Sequence, residues 1–311
     1  IELNDNLSII ALVGDGMKHH SGTSGRMFSA LGKNGINVVA IAQGSSERNI
    51  SAVISKTDTA KALSALHDAF FLSNTKTINL FLIGTGLIGK TLLHQIHQQL
   101  NKLLTANNLE IKLVGLTNSR KMLLNEDGIE VDQALQQLND HGKEANLEMF
   151  KETIIRYNLP NSICIDCTAS EDVTTVYDSL LRANVSVVTP NKKANSASYE
   201  SYAALRNTVR NHGIQFLYET NVCAGLPVIN TLNDLLLSGD SIQRIEAVLS
   251  GTLNYIFSSF TAGKRFSDVV AEAKALGYTE PDPRDDLSGM DVARKMLILA
   301  RETGLKLELS D

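Results

Sequence analysis

The strongest constraint on this chain is a glycine-rich loop that joins a strand to a helix. Residues 78–83 form an apolar run of strand length, and residues 87–104 have the apolar spacing of a helix. The loop between them follows Gly-x-Gly-x-x-Gly and consists of Gly84, Thr85, Gly86, Leu87, Ile88 and Gly89. The first glycine permits a tight turn, the second lets a pyrophosphate approach the backbone, and the third lets helix and strand pack closely. The loop therefore predicts a dinucleotide site, with a ligand-free glycine turn as the alternative.

The pattern around this loop predicts the fold class. Strand-like runs at residues 111–116, 163–167 and 185–189 alternate with helical stretches, and we expect the polar region from 117 to 158 to be helical. Such alternation is typical of α/β domains in which helices cover both faces of a parallel sheet. We therefore expect a Rossmann-like, doubly wound parallel sheet in a dinucleotide-binding domain over residues 78–213.

Different patterns lie on either side of that domain. Before it, the order strand, helix, strand, strand, helix predicts a small α+β unit over residues 1–74. After it, helices and two strands, at 214–218 and 242–249, predict an α+β substrate and dimerisation domain over residues 214–311. A substrate domain with its own sheet favours association, so we expect a homo-oligomer that acts on a small-molecule substrate.

Composition excludes several classes of partner. The formal net charge is −5, and the chain has neither Trp nor a basic stripe, so we expect no nucleic-acid surface. The longest apolar runs have only strand length, so we expect no membrane span. Three cysteines, Cys164, Cys167 and Cys223, argue against a disulfide framework and for a reducing compartment, the cytoplasm. Cys164 and Cys167 have redox-motif spacing, but they lie in a strand-like run and are interpreted as core residues.

The end of the next strand indicates which cofactor binds. NAD sites usually carry an acid there for the ribose hydroxyls. This strand instead ends in Asn118, Ser119 and Arg120, followed by Lys121. The two cations favour NADP through its 2′-phosphate, whereas Asn118 and Ser119 also suit the bare ribose of NAD. A solvated helix start is the alternative interpretation of Arg120 and Lys121.

Two later strand ends carry further candidates. Ligands bind at the carboxyl ends of the strands in open parallel sheets. Thr168 follows one of these strands and Lys192 follows another, which predicts that both lie near the nicotinamide. A surface lysine in an Asn-Lys-Lys turn is the alternative for Lys192.

The region before the last helix is dense in carboxylates. Glu280 and Asp286 suit a substrate ammonium group, while Asp291 and Lys295 are four residues apart and share a helix face. A lysine beside carboxylates suits acid–base chemistry between an alcohol and a carbonyl compound. An ordinary helix ion pair explains the same spacing.

A strand-to-helix segment permits a cation site. If residues 222–226 are extended, the carbonyls of Val222, Ala224 and Leu226 point the same way. Together with the carboxylate of Glu219 they form a set of oxygen ligands for a hard monovalent cation. A plain turn is the alternative.

Taken together, these motifs resemble homoserine dehydrogenases over residues 78–311. The resemblance includes the glycine loop, Asp166-Cys167-Thr168, Thr189-Pro190-Asn191-Lys192-Lys193-Ala194, and residues 219–227 and 277–295. Residues 7–53 resemble the regulatory ACT domain of an aspartokinase, which has a ferredoxin-like α+β fold; the similar segments are Val13-Gly14-Asp15-Gly16 and Ala42-Gln43-Gly44-Ser45-Ser46-Glu47-Arg48. The order of the two parts resembles the bifunctional aspartokinase–homoserine dehydrogenases.

The resemblance implies reversible NAD(P)H-dependent reduction of aspartate 4-semialdehyde to homoserine, in threonine and methionine biosynthesis. It implies that Lys295 is the acid–base residue and that Lys192 assists near the nicotinamide. It implies substrate binding or orientation by Glu280, Asp286 and Asp291, and sodium binding by Glu219, Val222, Ala224 and Leu226. Threonine is implied as the allosteric effector, with Gln43 as a contact.

The sequence departs from that family in two respects. It contains no kinase domain, and the family continues beyond the equivalent of Asp311. We therefore expect a C-terminally truncated piece of a longer polypeptide, with an ACT unit that lacks its final strand. An amino-acid-sensing, nucleotide-binding fragment without turnover is the alternative function. Another oxidoreductase on the same fold is disfavoured by the long similarity at 277–295.

Overall fold

The computed structural model describes residues 5–15, 17, 20–44, 48–71, 75–279 and 282–311, apart from the side chain of Asp285. Within these residues the strands are β1 Leu7–Val13, β2 Val38–Gln43, β3 Asn49–Ser55, β4 Lys76–Ile83, β5 Leu109–Thr117, β6 Lys121–Ile129, β7 Lys143–Glu144, β8 Ser162–Asp166, β9 Ser186–Val188 and β10 Phe216–Leu217. The helices are α1 Thr23–Lys33, α2 Thr59–Phe70, α3 Leu87–Asn107, α4 Ala134–His141, α5 Leu147–Tyr157, α6 Glu171–Thr174, α7 Tyr177–Arg182, α8 Tyr199–His212, α9 Val228–Leu237, α10 Gly251–Ser259, α11 Phe266–Ala275, α12 Pro283–Leu287 and α13 Met290–Glu302.

The N-terminal unit has the predicted strand–helix–strand–strand–helix order. Its sheet is antiparallel with strand order β1-β3-β2. Alternate residues of β1 and β3 are buried, and they form one core with residues of α1 and α2, among them Ile10, Ile54, Met27 and Ala62. Both helices therefore cover the same sheet face, because the period of two along each strand directs its apolar side chains to one side.

A second sheet contains seven strands in the order β10-β9-β8-β4-β5-β6-β7. Strand β4 pairs in parallel with β5 and β8, and β8 pairs in parallel with β9. The predicted doubly wound parallel core is therefore present. The prediction that residues 117–158 are helical was wrong at β6, which turns back and pairs antiparallel with β5, and at β7, which pairs with β6. The pairing with β5 buries Met122 and Ile129, which lie near the two ends of β6.

Beyond β10 the described chain is helical. The prediction of a strand at residues 242–249 was wrong: these residues are in no strand, and Val248 is 73% exposed. A strand needs a neighbour for its backbone hydrogen bonds, and no described segment of this region pairs with it. None of the described helices combines the length and the apolar character needed to cross a lipid bilayer.

The chain divides into two compact units. The first comprises Ile1–Thr168, Thr175–Val188 and Thr208–Phe216, and the second comprises Ala169–Thr174, Thr189–Asn207 and Leu217–Asp311. The first unit thus contains the small N-terminal sheet and most of the seven-stranded sheet. The second contains the helical region and the segment after β9.

Within the first unit, helix α2 contacts the amino-terminal end of the large sheet. Lys61 is 6% exposed, and its Nζ donates to Oδ1 of Asn158, which ends α5 shortly before β8. Nδ2 of Asn158 donates to Oδ1 of Asp58 over 3.0 Å. Burial lowers the pKa of Lys61, and the charge of Asp58 partly opposes this effect. Asp58 and Lys61 are three residues apart and share a helix face. Their bonds to Asn158 join the N-terminal unit to the chain just before β8.

The loop after α1 makes a second contact of the same kind. Nδ2 of Asn184, just before β9, donates to the carbonyl of Lys33 over 3.3 Å. A Cβ atom added at Gly35 would lie 2.9 Å from Cβ of Asn184, so the two loops touch closely. The N-terminal unit therefore contacts the amino-terminal ends of two neighbouring parallel strands.

Candidate active site

The glycine loop has the geometry that a pyrophosphate site needs. Gly84 has φ 94°, and a Cβ atom there would lie 2.7 Å from Cγ2 of Thr168. A Cβ atom at Gly89 would lie 2.0 Å from the carbonyl oxygen of Gly84. At Gly86, by contrast, no described atom outside the adjacent backbone lies within 4 Å of the added Cβ position. Two glycines are thus required by the protein itself, and the middle one borders open space at the positive end of α3.

A cavity of about 410 Å³ adjoins this loop in the first unit. It is lined by Thr85, Gly86, Lys90, Asn118, Ser119, Arg120, Leu135, Leu138 and Asn139. Five of the predicted cofactor-binding residues therefore line the same cavity: Thr85, Gly86, Asn118, Ser119 and Arg120. The other lining residues were not predicted from the sequence: Lys90, Leu135, Leu138 and Asn139. Lys90 was detectable as the residue one turn after Gly86 on the same helix, whereas the α4 residues reach the cavity only through tertiary packing.

The two cations after β5 have different roles. Oδ1 of Asn118 accepts from the backbone N–H groups of Arg120 and Lys121, each over 2.8 Å, and so closes the turn between β5 and β6. The ammonium of Lys121 donates to the carbonyl of Asn139. Arg120 is exposed at the cavity wall. Arg120, rather than Lys121, is therefore available to an anionic group in the cavity.

The turn after β8 holds Thr168 beside the loop. The buried carboxylate of Asp166 accepts from the backbone N–H of Thr168 over 2.7 Å and from the hydroxyl of Tyr177. Cys167 lies in the same turn, where burial and the charge of Asp166 raise its thiol pKa to about 11. Burial also raises the pKa of Cys164. Both thiols are free and neutral near pH 7, in agreement with a packing role.

A lysine–aspartate–lysine cluster forms in the second unit. Oδ1 of Asp291 lies 3.1 Å from Nζ of Lys192, and Oδ2 lies 2.7 Å from Nζ of Lys295. Nζ of Lys295 also donates to the carbonyl of Leu249 over 2.7 Å. The structure therefore brings together three of the predicted site residues across 99 positions of sequence, from Lys192 on the segment after β9 to Asp291 on α13.

The electrostatics of the cluster favour an ionised aspartate. Partial burial raises the pKa of Asp291, but hydrogen bonds and charges from Lys295 and Lys192 outweigh burial and hold the pKa below its usual value. The side chains of Lys295 and Lys192 are only 18% and 26% exposed, whereas that of Asp291 is 53% exposed. Two ammonium groups that are largely withdrawn from solvent thus share one carboxylate.

The other two predicted substrate-binding residues are Glu280 and Asp286. Glu280 lies outside the described residues. Asp286 belongs to α12, whose start is capped by Asp282, with Oδ1 accepting from the backbone N–H of Arg284 over 3.0 Å. Hydrogen bonds from Arg284 lower the pKa of Asp282 to about 2. The short helix α12 directly precedes α13, which carries Asp291 and Lys295.

Glu219 has a structural partner that the sequence analysis did not anticipate. Its two carboxylate oxygens accept from the backbone N–H groups of Ile229 and Asn230, over 2.8 and 2.9 Å. The carboxylate therefore caps the N-terminus of α9, where negative charge is favourable. The carbonyl of Leu226 accepts from the N–H of Val228. Two of the four predicted cation ligands are thus already hydrogen-bonded within the protein.

The N-terminal unit contains a cavity of its own, also of about 410 Å³. Its walls come from the end of β1, the start of α1 and the end of α2, where the guanidinium of Arg26 lies 5.1 Å from the ring centroid of Phe70. Gln43 is not among the described residues that line it. Oε1 of Gln43 instead accepts from Oγ of Ser24 over 3.3 Å on the exposed surface.

A glycine loop after the first strand of a parallel sheet, with a cavity at the end of the second, defines a Rossmann-type dinucleotide-binding protein. Family models agree: the homoserine dehydrogenase NAD-binding domain matches residues 84–219, the homoserine dehydrogenase domain residues 227–311, and an ACT domain residues 10–70. The chain belongs to the homoserine dehydrogenase family and carries an ACT domain in front of its dehydrogenase domains.

Similar proteins combine these domains with a kinase. The chain is 48% identical over its whole length to a bifunctional aspartokinase/homoserine dehydrogenase of Arabidopsis thaliana, covering 34% of that protein. It is 45% identical over its whole length to the bifunctional enzyme of Haemophilus influenzae, covering 38% of it. The chain thus spans about a third of the length of these relatives.

Solved structures show the same fold. A hyperthermophilic archaeal homoserine dehydrogenase in complex with NADPH matches with a TM-score of 0.62 and 25% identity, over 73% of this chain and 70% of that one. The homoserine dehydrogenase of Thermoplasma acidophilum matches with a TM-score of 0.60 and 25% identity, over 76% of this chain and 72% of that one.

Proposed function

We propose that this chain catalyses the reversible NAD(P)H-dependent interconversion of aspartate 4-semialdehyde and homoserine. The observation that carries the proposal is the cluster of Lys192, Asp291 and Lys295, in which one carboxylate orients two poorly exposed ammonium groups. Membership of the homoserine dehydrogenase family supports the choice of substrate. This reaction belongs to threonine and methionine biosynthesis.

The geometry supports a proton-transfer role for Lys295. An ammonium group has three N–H donors, and the described contacts of Lys295 use two of them, toward Asp291 and the carbonyl of Leu249. The third is directed to the carbonyl oxygen of the substrate, to which Lys295 donates a proton during reduction; the same group accepts it back during oxidation. Lys192 carries the second positive charge and stabilises the developing alkoxide. A bound nicotinamide supplies or takes up the hydride.

The cofactor proposal rests on the first unit. Gly84 to Gly89 and Thr168 would hold the pyrophosphate, and the cavity beyond them would hold the adenosine ribose. Arg120 and Lys90 at its walls favour NADPH over NADH, because a 2′-phosphate gains charge-assisted hydrogen bonds there. NADPH in the archaeal homoserine dehydrogenase supports this preference.

The test is the oxidation of NADPH, and separately of NADH, by aspartate 4-semialdehyde, with product identified as homoserine. Lys295→Ala should abolish turnover while leaving NADPH binding intact. Lys306→Ala, which removes an exposed lysine of the same unit, is the matched control and should retain activity. Turnover that persists in Lys295→Ala would refute the acid–base assignment.

An amino-acid-sensing fragment without turnover is the second candidate, favoured by the cavity in the ACT domain and its contacts with the large sheet. Retained NADPH binding with no reaction of either cofactor would support it. Under either function we propose threonine as the ACT ligand, with Gln43 as a contact. Isothermal titration with threonine, compared with Gln43→Ala, tests both points.

Four further proposals concern assembly and surroundings. We propose a homo-oligomer, testable by light scattering, and a cytoplasmic location, testable by fractionation. Domain boundaries near residues 74 and 213 can be tested by limited proteolysis.

A sodium site at Glu219, Val222, Ala224 and Leu226 requires the capping carboxylate to serve α9 and the ion together. Activity and thermal midpoint that do not change when sodium is replaced by a large organic cation would contradict that site.

A further inference from the structure

The segment that carries Lys192 is buried although it has no regular secondary structure. Asn195 and Ser196 are 0% and 4% exposed. Buried polar groups of such a segment need hydrogen-bond partners. Nδ2 of Asn195 donates to Oδ1 of Asn221, and Nδ2 of Asn221 donates to the carbonyl of Thr189, each over 2.9 Å. The segment is therefore held at its start and near its end by side chains distant in sequence.

Ser196 connects this segment to helix α13. Both its backbone N–H and its Oγ donate to the carbonyl of Lys192, each over 2.9 Å. The same Oγ accepts from Nη1 of Arg294 over 2.9 Å. A hydrogen-bonded path thus runs from Arg294 through one hydroxyl to the main chain of Lys192.

The path ends on the helix that also holds the other members of the cluster. Arg294 lies between Asp291 and Lys295 on α13. Helix and segment are therefore joined at Lys192 in two ways, through its side chain to Asp291 and through its main chain by way of Ser196 to Arg294. A third bond runs from Nη1 of Arg301 on the same helix to the carbonyl of Asn195 over 2.9 Å. A lysine side chain alone is flexible, and fixing its main chain removes part of the entropy that orientation costs.

We propose that Ser196 and Arg294 are positioning residues that hold the main chain of Lys192 in register with Asp291 and Lys295 for the reaction. They act through Lys192 and do not touch the reacting atoms. The inference rests on the proposed function in that it gives Lys192 a role in turnover. Its structural content, the restraint of Lys192 by a hydroxyl and a guanidinium, is independent of the substrate.

The first test separates kcat from KM. Ser196→Ala and Arg294→Met should each lower kcat about tenfold, because small displacements of a catalytic group are costly. KM for NADPH and the thermal midpoint should change little. Arg294→Lys, which keeps a donor, should recover part of kcat. Ser201→Ala, which removes an exposed hydroxyl five residues later in the first turn of α8, should match the wild type.

A double-mutant cycle decides whether the two residues act as one path. Because the bond from Arg294 and the bond to the carbonyl of Lys192 meet at the one hydroxyl of Ser196, the double variant Ser196→Ala/Arg294→Met should lose no more kcat than the poorer single variant. Fully multiplicative losses, or single variants with unchanged kcat, would overturn the proposal. A loss of kcat that only follows a loss of folded protein would also overturn it.

A readout without turnover keeps this inference distinct from the proposed function. Acetylation of individual lysines, followed by mass spectrometry of peptides, measures how strongly Lys192 is restrained. Ser196→Ala should increase the rate at Lys192 several-fold and leave that at Lys306 unchanged. An unchanged rate at Lys192 would refute the positioning role. If the wild type shows no turnover but Ser196→Ala still increases the acetylation rate at Lys192, only the proposed function is refuted.

Discussion

A Cβ atom at Gly89 would lie 2.0 Å from the carbonyl oxygen of Gly84, so the first and third glycines of the loop are in direct backbone contact. Gly89→Ala must therefore displace the main chain of α3 or of the turn. We expect a loss of about 1–3 kcal/mol in the free energy of unfolding, as for overpacked core positions. Urea unfolding measures it, and a stability equal to that of the wild type would contradict the contact.

Gly86→Ala should behave in the opposite way. No described atom outside the adjacent backbone lies within 4 Å of the added methyl group, and φ of −72° suits alanine. Stability should stay within about 0.5 kcal/mol of the wild type. KM for NADPH should rise at least about tenfold, since the methyl group occupies the approach of the pyrophosphate. An unaltered KM would show that the phosphates lie elsewhere.

Arg120→Ala should weaken the binding of NADPH but not that of NADH. Loss of a charge-assisted hydrogen bond to the 2′-phosphate should raise KM for NADPH about tenfold and leave KM for NADH nearly constant. Lys121→Ala is the matched control: its ammonium is bonded to the carbonyl of Asn139, so the ratio of the two KM values should stay as in the wild type. Equal effects on both cofactors would exclude a 2′-phosphate contact.

The cluster around Asp291 predicts an acid-labile contribution to stability. Its pKa is lowered in the folded state, so the contribution is fully present above the unfolded pKa, near about 4, and is lost as pH falls through the folded pKa. The difference in free energy of unfolding between wild type and Asp291→Asn should therefore be constant above about pH 5 and shrink as pH falls below about 4. Urea titrations at several pH values measure it, and a constant difference would contradict the ion pairs.

Two substitutions of Asn158 should separate the cost of its backbone conformation from the stability that its side-chain contacts contribute. It has φ 46° and binds both Lys61 and Asp58. Asn158→Gly removes only the contacts, whereas Asn158→Ala also places a Cβ atom in the left-handed region at a further cost of about 1 kcal/mol. Calorimetry should rank the wild type above the glycine variant and the glycine variant above alanine. Equal midpoints for all three would show that this contact adds no stability.

Local patterns predicted those features whose cause is local. The glycine loop contains its own reasons in Gly84 and Gly89, and the spacing of Asp291 and Lys295 fixes their shared helix face. The fold class followed from the alternation of strands and helices. The cation-rich end of β5 was visible, but only the structure shows that Lys121 is bonded elsewhere.

Features that depend on distant partners were not predictable. Strand β6 forms because β5 offers it an edge, while residues 242–249 find no such neighbour among the described strands. The bond between Arg294 and Ser196 joins residues 98 positions apart, and no periodicity relates them. Glu219 was interpreted as a cation ligand because the helix that it caps begins nine residues later, outside any local pattern.

The contacts of Asn158 and Asn184 place the ACT domain at the amino-terminal ends of β8 and β9, whereas the glycine loop and Thr168 lie at the opposite strand ends. Strand β8 has five residues and a length of roughly 16 Å. Any effect of an ACT-domain ligand on a dinucleotide at the glycine loop would therefore act through an equilibrium rather than by direct contact, and such coupling is symmetric in free energy. Whatever factor that ligand imposed on dinucleotide affinity, the dinucleotide would impose on the affinity for the ligand.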